Sequence, residues 1–166
     1  MTLIKKVTEE VETLRTINYK FYVIVVGCGR VGLEVAYRLS NIGFNVTIVD
    51  KNPEMTENLP EDYGGFVIVG DATERETMER AKADKADILI ATTDDDTTNY
   101  FVCLVGAKIF GIPNVLSLVN NRENVNLFEK SGINVISPVS LAIESFERSI
   151  LEGIEHLSDF MVGEKR

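Results

Sequence analysis

Histidine, cysteine, basic charge and long apolar runs are all scarce in this 166-residue chain, and each shortage excludes something. The single histidine, His156, stands near the chain end, far in sequence from the glycine-rich and acidic loops, and reads as a surface residue. No Ser-His-Asp, His-Glu-x-x-His or Cys-x-x-Cys arrangement is present, so the familiar hydrolytic, zinc and dithiol chemistries have no residues to run on. Two cysteines, Cys28 and Cys103, make no disulfide framework and fit a reducing compartment. Basic residues number 17 against 26 acidic ones, a net charge of −9, which disfavours nucleic acid and anionic membrane surfaces as partners. The start, Met1-Thr2-Leu3-Ile4-Lys5-Lys6, lacks a long apolar core, so no signal peptide is expected. No apolar run approaches the roughly 20 residues that span a bilayer. Repeats and low-complexity tracts are also missing. What remains is the composition of one soluble globular domain, large enough to bury its own core.

The organising stretch is Phe21 to Asp50. Phe21-Tyr22-Val23-Ile24-Val25-Val26 is apolar without alternation, as a parallel strand covered on both faces requires. Gly27-Cys28-Gly29-Arg30-Val31-Gly32 follows it. Gly27 suits a tight turn, Gly29 lets backbone approach a pyrophosphate, and Gly32 lets helix and strand pack closely. Val31, Val35, Leu39 and Ile42 recur at helical spacing, and Gly43 stops the helix. Asn45 to Asp50 supplies a second strand ending in a carboxylate placed for ribose hydroxyls. Strand, glycine loop, helix, strand and acid in that order predict a dinucleotide-binding βαβ unit.

The remainder extends this unit into an α/β, Rossmann-like, doubly wound parallel sheet of six strands. Residues 1–19 carry Leu3, Val7, Val11, Leu14 and Ile17 as an amphipathic helix, either packed on its own domain or docking a partner. Lys51-Asn52-Pro53 opens a short helix that Leu59-Pro60 ends. Gly65 to Val69 is the third strand. Thr73 with Glu76 predicts a capping box for the helix that carries Met78 and Ala81. Asp87 to Ala91 is the fourth strand. Beyond it lies Thr92-Thr93-Asp94-Asp95-Asp96-Thr97-Thr98-Asn99, which lacks EF-hand spacing and reads as a helix N-cap rather than a metal site. Its hydroxyls and the Asn99 amide are placed to touch a ribose or phosphate. The helix from Asn99 to Phe110 is apolar nearly all round, which predicts burial on both sides and a subunit contact. Asn114 to Val119 and Ile133 to Ser137 are strands five and six, with a short helix from Asn121 between them. Pro138 starts a last helix whose stripe, Val139, Ile143, Phe146, Ile150, Ile154 and Leu157, exceeds what a finished sheet needs. Ser158 to Gly163 reads as an extended linker.

Arg30 is unusual in such a loop. Its guanidinium is suited to paired hydrogen bonds with a phosphate oxygen, which a terminal phosphate of ADP or ATP would use and a dehydrogenase would not. Cys28 reads as a small residue that fits the turn. The chain has a nucleotide-binding half and no catalytic half.

These motifs, from Gly27-Cys28-Gly29-Arg30-Val31-Gly32 and Val49-Asp50 through Gly70-Asp71-Ala72-Thr73, Ala86-Asp87-Ile88 and Asp96-Thr97-Thr98-Asn99 to Ile136-Ser137-Pro138, resemble the N-terminal lobe of the regulator-of-potassium-conductance family (RCK, or TrkA-N). The resemblance implies four parts: an N-terminal helix (1–19), a Rossmann nucleotide-binding domain (20–138), a crossover helix (139–158) and a tail (159–166). It implies NAD(H), ATP or ADP bound by Gly27, Cys28, Gly29, Arg30, Val31, Asp50, Lys51, Asp71, Ala72, Thr73, Thr93, Asp94 and Asn99. Three features depart from the family pattern. By resemblance, the second ligand-binding lobe that many members carry after the crossover helix would be absent or supplied by another chain. Ser117-Leu118-Val119 stands where some members have a cofactor-binding arginine, and Val139 where some have a cation-binding glutamate.

The expected function is that of a nucleotide-binding regulatory subunit of a Trk/Ktr-type potassium channel or transporter. It would be cytoplasmic, peripheral to the inner face of the membrane, and assembled as a homo-oligomeric dimer or dimer-based ring, with a separate chain forming the pore. It would not be an enzyme. The alternative is a small NAD-dependent oxidoreductase completed by a partner chain.

Overall fold

A computed structural model describes residues 20–163; the expected N-terminal helix lies outside the described residues, and beyond Ile154 only the backbone is described. Six strands, β1 (Tyr22–Val26), β2 (Asn45–Asp50), β3 (Phe66–Val69), β4 (Ile88–Ala91), β5 (Asn114–Leu118) and β6 (Asn134–Ile136), form one sheet of order β3-β2-β1-β4-β5-β6. Every pairing is parallel. In register, Ile24 of β1 lies beside Thr47 of β2 on one side and Leu89 of β4 on the other. The order reverses between β1 and β4, and a doubly wound sheet opens a crevice there at its C-terminal edge.

The apolar runs become strands because both faces are covered. Val23, Val25, Val46 and Ile48 are buried with Cys28 and Ala36 on the face that carries α1 (Arg30–Asn41). Ile24, Val26, Val49 and Leu89 face the other way. They pack with Met78 of α3 (Arg75–Arg80), Val102 and Cys103 of α4 (Asp96–Lys108) and Phe128 of α5 (Val125–Lys130). Between β2 and β3 runs the single-turn α2 (Pro53–Thr56), which Asn52 caps by accepting from the Glu54 amide. Gly43 closes α1 at φ +96°, a left-handed conformation that suits glycine.

Four expectations need correction. Thr73 does not start a helix: α3 begins at Arg75, and its N-cap, Glu74, makes no side-chain capping bond. Asp71 Oδ1 takes both the amide (2.8 Å) and the hydroxyl (2.7 Å) of Thr73, so that hydroxyl is committed to an Asx turn instead. α4 begins three residues earlier than expected, at Asp96, because Asp95 captures the amides of Thr97 and Thr98. Nor is α4 buried all round in the single chain. Val102, Cys103 and Gly106 are inside, but Phe101 is exposed. Finally, Ser158 to Gly163 continues α6 (Pro138–Gly163) rather than forming a linker. No helix breaker occurs from Ser158 to Val162, so the helix runs on through this segment.

α6 leaves the body of the domain. Val139, Ile143, Phe146, Ile150 and Ile154 of its expected stripe are all exposed, Phe146 at 71% and Ile150 at 60%. Among the described residues, no helix is long and apolar enough to cross a membrane.

Candidate functional site

Each parallel strand ends where its following loop must turn, so the C-terminal ends of β1, β2, β3, β4 and β5 gather their loops around one cleft. The cleft has a volume of about 540 Å³, within the usual range for ligand pockets.

The glycine loop forms its floor, and its three glycines have three different reasons to be there. Gly27 adopts φ +98°, and a side chain on it would also meet the Thr93 amide at 2.9 Å. Gly32 allows α1 to press on the sheet: a Cβ there would lie 1.9 Å from the Gly27 carbonyl and 2.3 Å from Thr92 Oγ1. Gly29 is different. A Cβ on it would meet nothing within 4 Å, and the residue lines the cleft. Its lack of a side chain serves no contact inside the chain and leaves room for something that enters.

Two polar latches fix this loop. Thr92 Oγ1 donates to the carbonyl oxygens of Val26 and Gly27, at 2.9 and 3.0 Å. Asp50 Oδ2 accepts from the Cys28 amide at 2.6 Å, while Oδ1 accepts from the Asn52 amide at 2.8 Å. An ionised carboxylate has about four lone-pair sites, so capacity for two ribose hydroxyls remains.

The helix N-termini around the cleft are unequal. Asp95 closes α4, its carboxylate accepting from the amides of Thr97 (3.3 Å) and Thr98 (2.8 Å). α1 has Gly29 as its N-cap, with no side-chain capping bond and no acidic residue in its first turn. Its leading amides and the positive end of its dipole are therefore presented to the cleft, an arrangement that favours an anion. Arg30 and Lys51 line the same cleft, and Arg30 takes part in neither of the ion pairs found among the described residues.

Of the residues singled out from the sequence, Gly27, Gly29, Arg30, Val31, Asp50, Lys51, Asp71, Ala72, Thr93 and Asp94 are brought together as cleft lining. Cys28, Thr73 and Asn99 are not. The Cys28 side chain is buried, and burial, with a contribution from Asp50, pushes its thiol up to about 11. Thr73 is occupied by Asp71. Asn99, expected to offer its amide to a ligand, is 0% exposed. Its Oδ1 accepts from the amide and hydroxyl of Thr93, and its Nδ2 donates to the carbonyls of Thr93 and Leu118. It ties the β4 loop to β5 instead. Thr98, one of the hydroxyls expected at this mouth, also lines the cleft, whereas sequence reasoning missed Met55, Asp95, Leu118 and Asn120. The signal for Leu118 and Asn120 was their place at the C-terminal end of the strand next to β4.

Two of the cleft carboxylates, Asp71 and Asp95, are held in the ionised form by hydrogen bonds. Hydrogen bonds from the Thr73 side chain and amide, aided by Lys51, hold Asp71 below the usual carboxylate range. Bonds from Thr98 do the same for Asp95. Among the described residues no group of three or more His, Cys, Asp or Glu is arranged to hold a metal ion.

Comparison with known proteins gives a consistent picture. The family model described as the TrkA-N domain matches residues 23–138. The Trk system potassium uptake protein TrkA homolog of Methanothermobacter thermautotrophicus is 33% identical over 130 residues, 78% of this chain and 60% of that protein. This chain thus spans less than two thirds of that relative's length. The solved structure of the GsuK channel bound to NAD superposes with a TM-score of 0.68 at 27% identity, covering 82% of this chain and 24% of that one. GsuK bound to ADP gives 0.65 at 26% identity, covering 76% of this chain and 33% of that one.

Proposed function

The chain belongs to the TrkA-N domain family, and from that premise we propose that it is a nucleotide-responsive regulatory domain of a potassium transport system. It binds an adenine nucleotide, NAD(H) or ADP/ATP, in the cleft over β1, β2 and β4, and transmits the identity of that nucleotide to a separate pore-forming chain. The observation that carries this reading is the start of α1: uncapped, free of acid, beside the open space at Gly29 and across from Asp50. Phosphates rest on the amides of Gly29 to Val31, and Arg30 takes a terminal phosphate where there is one. Asp50 accepts the ribose hydroxyls, while Asp71 and Ala72 flank the adenosine. The solved complexes of a structural relative with NAD and with ADP support a cleft that takes either.

Sensing is favoured over turnover. Asp71 and Asp95 are held below the usual carboxylate range and make poor proton shuttles near neutral pH. Cys28 is buried and protonated. A nucleotide acts on the transporter by binding two arrangements of the assembly with different affinity. The exposed stripe of α6 supports pairing with a second copy, which makes the assembly a dimer or a ring of dimers at the inner face of the membrane.

Calorimetric titration of NAD, ADP and ATP into the purified protein tests the reading. Saturable binding of at least one is expected. Absence of binding by all three overturns it.

A further inference from the structure

The two sides of the cleft are built differently. On the adenosine side, Asp50 is the last residue of β2 and Asp71 lies in the loop directly after β3. On the other side, Thr93, Asp94 and Asp95 come from the β4–α4 connection and Thr98 from the first turn of α4, whereas Leu118 ends β5 and Asn120 follows it. Besides the sheet pairing and Asn99, one carboxylate outside the cleft lining holds these pieces together. Asp96 Oδ1 accepts from the Asn120 amide at 2.8 Å and from Asn120 Nδ2 at 3.3 Å. Its Oδ2 accepts from the Asn121 amide at 3.0 Å and from Asn124 Nδ2 at 2.9 Å. Four donors from three residues converge on one side chain in the first turn of α4. Partial burial opposes the charge on Asp96, but these donors outweigh it and keep the carboxyl below its ordinary range.

Resting on the nucleotide-binding reading above, we propose that Asp96 is a positioning residue that makes the cleft selective for a dinucleotide over a mononucleotide. It does so by fixing Asn120, beside the end of β5, where the second half of a dinucleotide lies. An adenine mononucleotide is served by the glycine loop and the ends of β2 and β3. A dinucleotide crosses the switch point between β1 and β4 and reaches the end of β5. Only the second ligand touches the wall that Asp96 holds. Released from Asp96, the loop after β5 must be ordered by the ligand at an entropic cost that a preorganised wall avoids.

Asp96→Asn keeps the shape but places an NH2 group where two N–H donors converge, so the clamp opens on one side. Asn124→Ala removes one tie from outside the cleft and serves if the first variant folds poorly. Titrating NAD and ADP into wild type and both variants, we expect Asp96→Asn to weaken NAD roughly tenfold, the loss of about one charge-assisted hydrogen bond, and to leave ADP within about twofold. Asn124→Ala gives the same split at smaller size. A purely structural role weakens both ligands together. Equal loss of NAD and ADP, or unchanged NAD binding in both variants, overturns the inference while leaving the nucleotide reading intact. Wild-type protein that binds neither ligand overturns both.

Discussion

Asp50 Oδ2 and the Cys28 amide lie 2.6 Å apart, so the carboxylate at the end of β2 holds the middle of the glycine loop that follows β1. Under the proposed nucleotide binding, ribose recognition and loop geometry would share one side chain. Replacing Asp50 with Asn should lower stability by about 1–3 kcal/mol, the cost of weakening charge-assisted bonds to two amides. It should also weaken NAD and ADP alike, because both carry the adenosine ribose. Thermal unfolding and calorimetry read the two effects. An unchanged melting temperature would show that the latch is dispensable. With Asp50 intact, its charge opposes a ribose 2′-phosphate, so NADP should bind more weakly than NAD.

Arg30 is exposed and makes no ion pair among the described residues. Arg30→Ala should therefore leave stability within about 0.5 kcal/mol. It should weaken ATP about tenfold or more and NAD less, since only ATP offers a terminal phosphate. Equal loss for the two nucleotides would remove the phosphate-sensing role.

Gly29 and Gly32 separate binding from folding. Gly29→Ala introduces a methyl group into open space at φ −72°, where alanine is unstrained. The protein should fold normally and lose nucleotide affinity. Gly32→Ala drives a Cβ to 1.9 Å from a backbone carbonyl and should cost about 3 kcal/mol or more. Comparing unfolding midpoints with ligand affinities for the two variants tests this; a destabilised Gly29→Ala would mean that the open space is used by the chain itself.

Burial pushes the Cys28 thiol up to about 11 and the Cys103 thiol up to about 12, and burial also raises Tyr22 and Tyr63. Each of these groups binds its proton more tightly in the folded chain, so the folded state holds more protons between the ordinary and the raised values. Stability is then fully present below about pH 8.5 and falls as pH rises toward 11 and 12. The melting temperature should show that decline, and a Cys28→Ala, Cys103→Ala double variant should show a shallower one. Parallel curves would argue against the buried thiols as a cause.

Phe146 and Ile150 of α6 are each largely exposed and do not line the cleft. Substituting both with Asp should leave nucleotide binding unchanged and reduce the mass measured by light scattering to that of a monomer. An assembly that survives the change must use another face.

The sheet and the first half of the cleft were legible because their causes are local. Unbroken apolar runs make buried parallel strands, and a glycine loop followed by a helix and an acid is a contiguous pattern. Thr73 was misread because Asp71, two residues earlier, competes for its hydroxyl, and sequence alone does not decide between two valid short-range partners. Asn99 was assigned outward because a helix-start amide usually is; its burial follows from the approach of Leu118, a contact across 19 residues. Leu118 and Asn120 enter the cleft only through sheet order. The end of Ser158 to Gly163 was a matter of propensity: polar residues suggested a linker, but none of them breaks a helix.

The uncapped start of α1 has a consequence for the life of the protein. α4 carries its own cap in Asp95, whereas α1 has none, and under the proposed function an anion in the cleft would supply it. The ligand is then the missing piece of a secondary-structure element, and folding and occupancy become one equilibrium. At a nucleotide concentration a hundred times its dissociation constant, the folded state gains about 2.7 kcal/mol. For a domain of ordinary marginal stability, that gain is enough to change how often the chain opens and how long it survives proteolysis. The abundance of the protein would therefore carry a record of the metabolite it reads.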